Sequence, residues 1–426
     1  MIFLSFLQTL IIGSVIFYEY KKGSISIFLW AMNLVVIGLG SILAVGIEKK
    51  YSDMVYIKAF VFGIIFISIY LLTRILLDKK PLKEIDLIKK IRIKLQKNEL
   101  KIKDNKIFEM SSILALILFL IYTLRMFGNI FETTWSDFTY ADVSFFSING
   151  IVIFFSNILR KISFIVLFVY IYKKRYFNFL FYFIVLLFPV FITRNRAEML
   201  PLFVVIILYF YIKYEKITFK LLLKYIFLGI IVVLFLYILR VYRFYGNFYD
   251  FIEKFDCNKF IESVFNLFKT NNGELGLIDA FYYFIEKKNN FPGFGKLATY
   301  NRMLLVLLPT KLSFGLKSSD FAITMYSAYF NNYNNTAGSM HPTLFGDCYA
   351  NFGYWGVFLG VFWAILVKII DKICNRKDIF YSIVLCIIWG YSYVIIGRGA
   401  VYNGFVTGVH LTIFLSLIYL VEKIKI

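Results

Sequence analysis

The chain has 426 residues, of which 60% are hydrophobic, and it carries 47 Lys and Arg against 26 Asp and Glu, a formal net charge of +21. Its mean hydropathy of +0.74 excludes an ordinary water-soluble domain of this length. A strongly basic chain can bind nucleic acid, but membrane proteins also concentrate Lys and Arg in their cytoplasmic loops. Because the basic clusters here separate apolar runs, the charge indicates membrane orientation, and we expect no nucleic-acid partner.

The apolar runs are about 18 to 24 residues long, which suits α-helices that cross a bilayer, since ~20 residues span its hydrocarbon core. We therefore predict an all-α polytopic membrane protein with about 11 transmembrane helices and one large extracytoplasmic loop. The predicted spans cover residues 2–20, 25–47, 55–77, 107–127, 148–172, 176–193, 197–212, 221–239, 348–370, 379–397 and 401–421.

The first apolar run has its basic residues, Lys21 and Lys22, after it rather than before it. This order predicts a retained first helix with its N-terminus outside, not a signal peptide. The basic segment 78–106 then places Leu87, Ile88, Ile91 and Leu95 at helical spacing among lysines. The pattern predicts an amphipathic helix that lies on the anionic inner leaflet as a membrane anchor.

Residues 240–347 form a large predicted extracytoplasmic loop between the membrane helices in residues 1–239 and those in residues 348–426. Transporters rarely carry so large an outer loop, whereas an enzyme acting at the membrane surface can use one as a lid. Within the loop, residues 274–288 (ELGLIDAFYYFIEKK) have the pattern of an amphipathic helix. Residues 301–311 (NRMLLVLLPTK) hold an apolar run too short to span, which suits dipping into the membrane interface.

Several arginines lie at the predicted outer ends of helices, against the positive-inside tendency; they are Arg194, Arg196, Arg240, Arg243 and Arg398. A guanidinium binds phosphate oxygens bidentately, so the turn TRNRAE predicts a pyrophosphate clamp at the mouth of a membrane cavity. The alternative is that these arginines snorkel to lipid headgroups. Arg160 and Lys161, near the middle of the fifth predicted span, either line the same cavity or lie before a span that begins after them.

The large loop also holds the candidate acid–base groups, which are His341, Glu274, Asp320 and Asp347. A lone loop histidine is also commonly an ordinary hydrogen-bonding residue. Aromatic and amide side chains that suit a carbohydrate include Asn331, Tyr333 and Asn335, with an ordinary Asn-rich loop as the alternative. The chain offers no outer DxD, HExxH, P-loop or GxSxG motif and no CxxC spacing, so we expect no metal and no cofactor.

Two segments resemble the oligosaccharide repeat-unit polymerases of the Wzy type, which make O-antigen or capsule polysaccharide. Residues 191–211 (FITRNRAEMLPLFVVIILYFY) resemble the Arg-containing outer turn of that family, which leads straight into a helix. Residues 339–366 (SMHPTLFGDCYANFGYWGVFLGVFWAIL) resemble the end of its large outer loop, where a Pro and a Gly-acid pair precede an Asn-Phe-Gly helix entry. The order of helices, with one large outer loop late in the chain, is similar along nearly the whole length.

The resemblance implies a GT-C-like, metal-independent glycosyltransferase that extends a glycan on undecaprenyl pyrophosphate at the periplasmic face of the bacterial inner membrane. Arg194, Arg196 and Arg240 match the outer-loop arginines of the family, and His341 resembles the loop histidine of the related O-antigen ligases. The implied partners are undecaprenyl-pyrophosphate-linked glycans, membrane lipids and a chain-length regulator protein. A flippase or exporter of lipid-linked oligosaccharide and an O-antigen ligase are the alternative functions.

Overall fold

The computed structural model is entirely helical in its regular structure over the residues that it describes. The described residues are 1–46, 49–78, 87–96, 106–140, 147–214, 218, 223–224, 227, 231, 234, 237–239, 241–243, 245–262, 275–288, 296–308, 313–317, 321–331, 340–376 and 378–424.

The helices of the first half of the chain are α1 (Ile2–Lys21), α2 (Ile27–Asn33), α3 (Gly40–Gly46), α4 (Asp53–Asp78), α5 (Leu87–Gln96), α6 (Lys106–Phe127), α7 (Trp135–Tyr140), α8 (Ile148–Ser163), α9 (Ile165–Tyr172), α10 (Tyr176–Thr193) and α11 (Leu200–Lys213). A π-helical stretch, Leu34–Leu39, joins α2 to α3, and a 3₁₀ turn, Arg196–Met199, leads into α11.

The second half continues with α12 (Phe248–Lys254), α13 (Ile278–Lys287), α14 (Ala298–Leu304), α15 (Phe321–Tyr329), α16 (Thr343–Phe352), α17 (Leu359–Cys374), α18 (Ile379–Arg398) and α19 (Val401–Ile424). Short 3₁₀ segments precede α13 at Leu275–Leu277 and separate α16 from α17 at Gly353–Phe358.

Eight stretches of helix within the described residues are long and apolar enough to cross a membrane, as expected for a polytopic membrane protein. They are Ile2–Lys21, Ile27–Gly46, Asp53–Asp78, Lys106–Phe127, Ile148–Tyr172, Tyr176–Thr193, Ile379–Arg398 and Val401–Val421. Each of them coincides with one of the predicted spans.

The remaining three predicted spans have different outcomes. Residues 221–239 lie largely outside the described part of the chain. The span predicted at 197–212 is a helix of 14 residues, α11, because the 3₁₀ turn takes up its first residues. The span predicted at 348–370 is wrong as one helix. Gly353 ends α16 with a φ of 60°, and 6 residues of 3₁₀ helix follow before α17 begins.

Helix α1 carries its polar residues on the buried side and its apolar residues on the exposed side. Ser5, Gln8 and Glu19 are buried, whereas Phe3 and Leu10 are among the exposed large side chains. A soluble protein would show the reverse pattern, because its surface faces water. Lipid favours this arrangement, since apolar side chains can face acyl chains while polar groups find partners within the protein.

The described chain forms two compact units. Unit 1 comprises Met1–Leu87, Asn266–Arg376 and Trp389–His410. Unit 2 comprises Ile88–Phe265, Lys377–Ile388 and Leu411–Ile426.

In unit 1, α4 packs against α1, α13 and α17. The approach to α17 is close, since a Cβ added to Gly360 would lie 2.7 Å from the Phe66 carbonyl oxygen. On its α13 side, the Phe62 ring lies edge-on to Phe281 and Tyr349, with centroids 5.6 Å apart in both pairs. The helix predicted at 274–288 is thus confirmed as α13, and it is a core element in which most residues are buried.

In unit 2, α6 packs along α8, where Ser156 donates to the Ala115 carbonyl at 2.7 Å. The predicted amphipathic helix is present as α5, but the expectation that its apolar side lies on lipid is wrong. Ile88, Ile91 and Leu95 are at most 3% exposed, because they pack inside the protein. Arg92 fixes α5 in place by donating to the final carbonyls of the α11 segment, at 2.8 to 3.0 Å.

Candidate functional site

Arg194, the first arginine of the TRNRAE turn, is 1% exposed and sits at the end of α10 with a φ of 54°. Its Nη1 donates to the carbonyls of Tyr245 and Gly246, at 2.7 and 3.2 Å. Its Nη2 donates to the Thr133 carbonyl at 3.1 Å. The guanidinium carbon lies 4.0 Å from the centre of the Tyr242 ring. Arg194 therefore holds irregular backbone segments together within unit 2.

Arg243 and Arg196 lie at the same turn of unit 2. Arg243 donates from Nε to the Arg194 carbonyl at 2.7 Å, and its guanidinium lies 5.0 Å from the Trp135 ring centre. Arg196 begins the 3₁₀ turn and is half-buried. The structure thus brings three predicted clamp residues together, whereas Arg240 lies outside the described residues.

Glu198, the acidic residue of the same turn, pairs with both cations of the fifth span. Its carboxylate accepts a hydrogen bond from Arg160 Nη2, and it lies 3.6 Å from Lys161 Nζ. Arg160 is buried and also donates to the Asn157 side chain at 3.1 Å. Both cations lie within the candidate span Ile148–Tyr172. Glu198 therefore offsets positive charge that would otherwise be costly at membrane depth.

Unit 1 contains a small, partly open pocket. Four elements form its wall: α14, α15, the beginning of α16 and the turn between α18 and α19. The lining residues that bear on chemistry are Thr299, Arg302, Pro342, Asp347, Gly399 and Tyr402.

A close crossing of two backbone segments shapes this pocket. Gly399 has a φ of 106°, and a Cβ added to it would lie 2.3 Å from the Thr343 nitrogen. Thr343 itself has a φ of 65°, which is unusual for a β-branched residue. The crossing brings Pro342 and Gly399 into one wall, and it places the predicted site residues His341 and Arg398 next to that wall in the chain.

Asp347 is the predicted acid–base residue that the structure places in the pocket, and it is 1% exposed. Thr299 Oγ1 donates to its Oδ2 at 2.8 Å, and Asn351 Nδ2 reaches its Oδ1 at 3.3 Å. Burial raises the pKa of Asp347 to about 7, although the hydrogen bond from Thr299 favours the ionised form. A carboxyl with this pKa can accept or donate a proton near neutral pH.

Two cations lie over the ring of Tyr402, which lines the same pocket as Asp347. The Arg302 guanidinium is 4.2 Å from the centre of the Tyr402 ring, and Lys317 Nζ is 5.6 Å from the same centre. Lys317 is buried, and it donates to the Leu308 carbonyl at 2.8 Å. The pocket therefore combines a titrating carboxyl, a guanidinium and an aromatic face.

The other predicted site residues are not brought into the pocket. Asn331 is exposed at the end of α15, where its φ is 51°. Glu274, Asp320, Tyr333 and Asn335 lie outside the described residues, as does most of the predicted carbohydrate-binding loop.

Sequence reasoning missed Thr299, Arg302, Asn351 and Tyr402 as parts of a site. The one local signal was the spacing of Asp347 and Asn351, which stand four residues apart and so share a helix face. Asn351 Nδ2 also donates to the Asp347 carbonyl at 2.8 Å. The other partners come from segments distant in sequence, so no short motif contains them.

A buried charge cluster at another place in unit 1 was also missed. Arg74 donates from Nε and Nη2 to the Glu19 carboxylate at 2.8 and 2.7 Å, and from Nη2 to Asp371 at 3.2 Å. The Tyr70 hydroxyl donates to Glu19 at 2.7 Å, and Ser24 donates to Asp371 at 2.8 Å. These bonds tie α1, α4 and α17 together.

No protein-family model matches the chain, and no curated protein or solved structure matches it either.

Proposed function

We propose that the chain is a membrane glycosyltransferase that joins oligosaccharide repeat units carried on undecaprenyl pyrophosphate. Its product would be O-antigen or capsule polysaccharide, made at the periplasmic face of the bacterial inner membrane. One observation carries the proposal: a single pocket is lined by a buried carboxyl, Asp347, whose pKa is raised by burial, and by a guanidinium, Arg302. Glycosyl transfer from a diphosphate is accelerated by a proton acceptor for the attacking hydroxyl and by a cation at the leaving group.

In the proposed reaction, a hydroxyl of the acceptor sugar attacks the anomeric carbon of the donor glycan. The bond from that carbon to the diphosphate oxygen breaks, and the diphosphate leaves with the electron pair. Asp347 takes the proton of the attacking hydroxyl. Arg302 binds the oxygens on which negative charge develops, and Lys317 adds positive potential beside it. The Tyr402 ring offers an apolar surface for the sugar.

This proposal gives the phosphate-binding role to Arg302 rather than to Arg194. The Nη atoms of Arg194 already donate to backbone carbonyls, so binding a phosphate there would leave those carbonyls unsatisfied. Arg194 instead supports the turn on which Arg196 lies. Arg196 and Arg243 stay candidates for binding the lipid-linked substrate.

The test uses the purified protein in nanodiscs with a synthetic repeat unit on undecaprenyl pyrophosphate. Gel electrophoresis of the products should show a ladder of polymers. We expect Asp347→Asn to slow the reaction by roughly 10²–10⁴-fold, as loss of a general base does. Arg302→Gln should slow it by roughly 10²–10³-fold, as loss of one charge-stabilising donor does.

Asp256→Asn is the matched control, because Asp256 is half-exposed and its Oδ1 accepts backbone hydrogen bonds that Asn can also accept. The control should leave the ladder unchanged. Normal ladders from both pocket variants would refute the proposed site. Transfer only to added lipid A core would indicate an O-antigen ligase, and movement of lipid-linked substrate without transfer would indicate a flippase or exporter.

A further inference from the structure

The chain after α14 forms turns that are tied to the beginning of α19. The Val306 carbonyl lies 3.4 Å from His410 Nε2. Because a carbonyl oxygen can only accept, His410 donates from Nε2 in this contact. The Leu308 carbonyl accepts from Lys317 Nζ at 2.8 Å, and this bond joins residues 304–308 to residues 313–317. Both polar anchors thus satisfy carbonyls of non-helical backbone.

These contacts place the turns at membrane depth. Helix α19 contains the candidate span Val401–Val421, and His410 lies nine residues into it. At 1.5 Å per residue, His410 is roughly 13 Å along the helix from the beginning of the span, compared with a hydrocarbon core of about 30 Å. Val306, which His410 contacts, therefore lies beside the membrane-spanning part of α19 rather than beyond its end.

The outward side chains of the same turns are large and apolar. Leu304 is 83% exposed and Leu307 is 66% exposed; in the second part, Phe314 is 92% exposed and Leu316 is 67% exposed. Phe314 has a φ of 49° and is followed by Gly315 with a φ of 81°. An aromatic residue held in the left-handed region is strained, and here the strained turn directs its ring outward.

We propose that residues 304–308 and 313–317 form a re-entrant element that lies within the bilayer, with Leu304, Leu307, Phe314 and Leu316 in contact with acyl chains. Water would make this exposed apolar surface costly, whereas lipid would not. Irregular backbone is tolerated at membrane depth only when its polar groups are satisfied by the protein. Here Lys317 donates to the Leu308 carbonyl, and His410 donates to the Val306 carbonyl.

The element also lies next to the pocket, because Arg302 lines the pocket and is two residues before Leu304. A ligand carried on a lipid could then reach the pocket from the membrane side. The re-entrant element itself does not depend on the proposed glycosyltransferase activity, because its anchors and its exposed side chains involve no substrate.

Site-directed spin labelling in nanodiscs tests the proposal. The exposed Cys257 is first replaced by Ser, and single cysteines are then introduced at positions 304, 307, 314 and 316; the native Cys348, Cys374 and Cys386 are buried. Each label is exposed in turn to oxygen, which concentrates in lipid, and to a water-soluble nickel chelate. We expect oxygen to relax all four labels several-fold more strongly than the nickel chelate.

Two reference positions calibrate the measurement. Phe6→Cys reports lipid contact, because Phe6 is exposed in the candidate span of α1. Lys259→Cys reports water, because Lys259 carries a charge and its side chain is 82% exposed. Labels that behave like the one at position 259 would overturn the proposal. Labels that neither reagent reaches would also overturn it, because a second copy or a partner protein would then cover the surface.

A second measurement needs no substitution. The unmodified protein is reconstituted with a lipid that carries a photoactivatable group in its acyl chain, and the crosslinked peptides are identified by mass spectrometry. We expect crosslinks within residues 304–308. Crosslinks to α1 without any to these residues would refute lipid contact.

Discussion

Arg74 allows a quantitative test of how unit 1 tolerates buried charge. It is 2% exposed, and its main partner, Glu19, is completely buried. Arg74→Met keeps a long side chain but removes the three hydrogen bonds to Glu19 and Asp371. Each charge-assisted bond contributes about 1.5–3 kcal/mol, so the gross loss is roughly 4–9 kcal/mol. Because Glu19 keeps its bond from Tyr70, we expect a net loss of about 3–5 kcal/mol.

The assay is equilibrium unfolding in mixed micelles, followed by tryptophan fluorescence. Lys22→Met is the matched control, because Lys22 is half-exposed and lies 3.5 Å from Asp78; it should cost at most about 1 kcal/mol. Adding Glu19→Gln to Arg74→Met removes the unpaired buried charge. The double variant should therefore be more stable than Arg74→Met alone by about 1–3 kcal/mol. An Arg74→Met variant that unfolds like the wild type would refute the reasoning.

Four further predictions concern the pocket and the TRNRAE turn. The transfer rate should rise with pH through about 7 as Asp347 loses its proton. Thr299→Val should shift this rise to higher pH, because it removes a hydrogen bond to the ionised form of Asp347. A rise at unchanged pH in that variant would exclude Asp347 as the base. Because the pKa of Asp347 is raised in the folded protein, the native state binds this proton more tightly than the unfolded chain does. Protonation of Asp347 therefore stabilises the fold fully below the ordinary Asp pKa, and this stabilisation is lost as pH rises through about 7. The difference in melting temperature between wild type and Asp347→Asn should follow that dependence. Gly399→Ala should lower the melting temperature and close the pocket, because the added Cβ meets the Thr343 nitrogen at 2.3 Å; an unchanged temperature would show that the crossing is loose. Arg194→Lys should cost about 2–4 kcal/mol in the unfolding assay, since an ammonium cannot reach all the carbonyls that the guanidinium fork serves.

The membrane helices could be predicted from the sequence because hydropathy reports a transfer property of each residue, summed over a length that the bilayer sets. This information does not include backbone conformation. Gly353 interrupts the span predicted at 348–370 because it adopts a positive φ. Breaks of this kind are visible only when the backbone is known.

Of the pocket residues named above as bearing on chemistry, Asp347 was predicted from the sequence as a site residue, and the others were not. Asp347 was a candidate because carboxyls are versatile acid–base groups, but Thr299, which donates to it, lies 48 positions away. The buried partners Arg74 and Asp371 are 297 positions apart. Such pairs depend on which helices pack together, and hydropathy does not determine the order in which helices pack.

The arginines near span ends show why charge alone did not locate the site. From the sequence, a guanidinium in such a position has lipid headgroups or a bound phosphate as its partner. The structure shows a further partner, the protein backbone. Arg194 and Arg92 both donate to carbonyls where regular helix stops, and Lys317 does the same for Leu308. Backbone that leaves the helical pattern near a membrane needs donors from the protein, and long cationic side chains can supply them. A cation at the end of a predicted span therefore indicates irregular backbone as readily as it indicates a ligand.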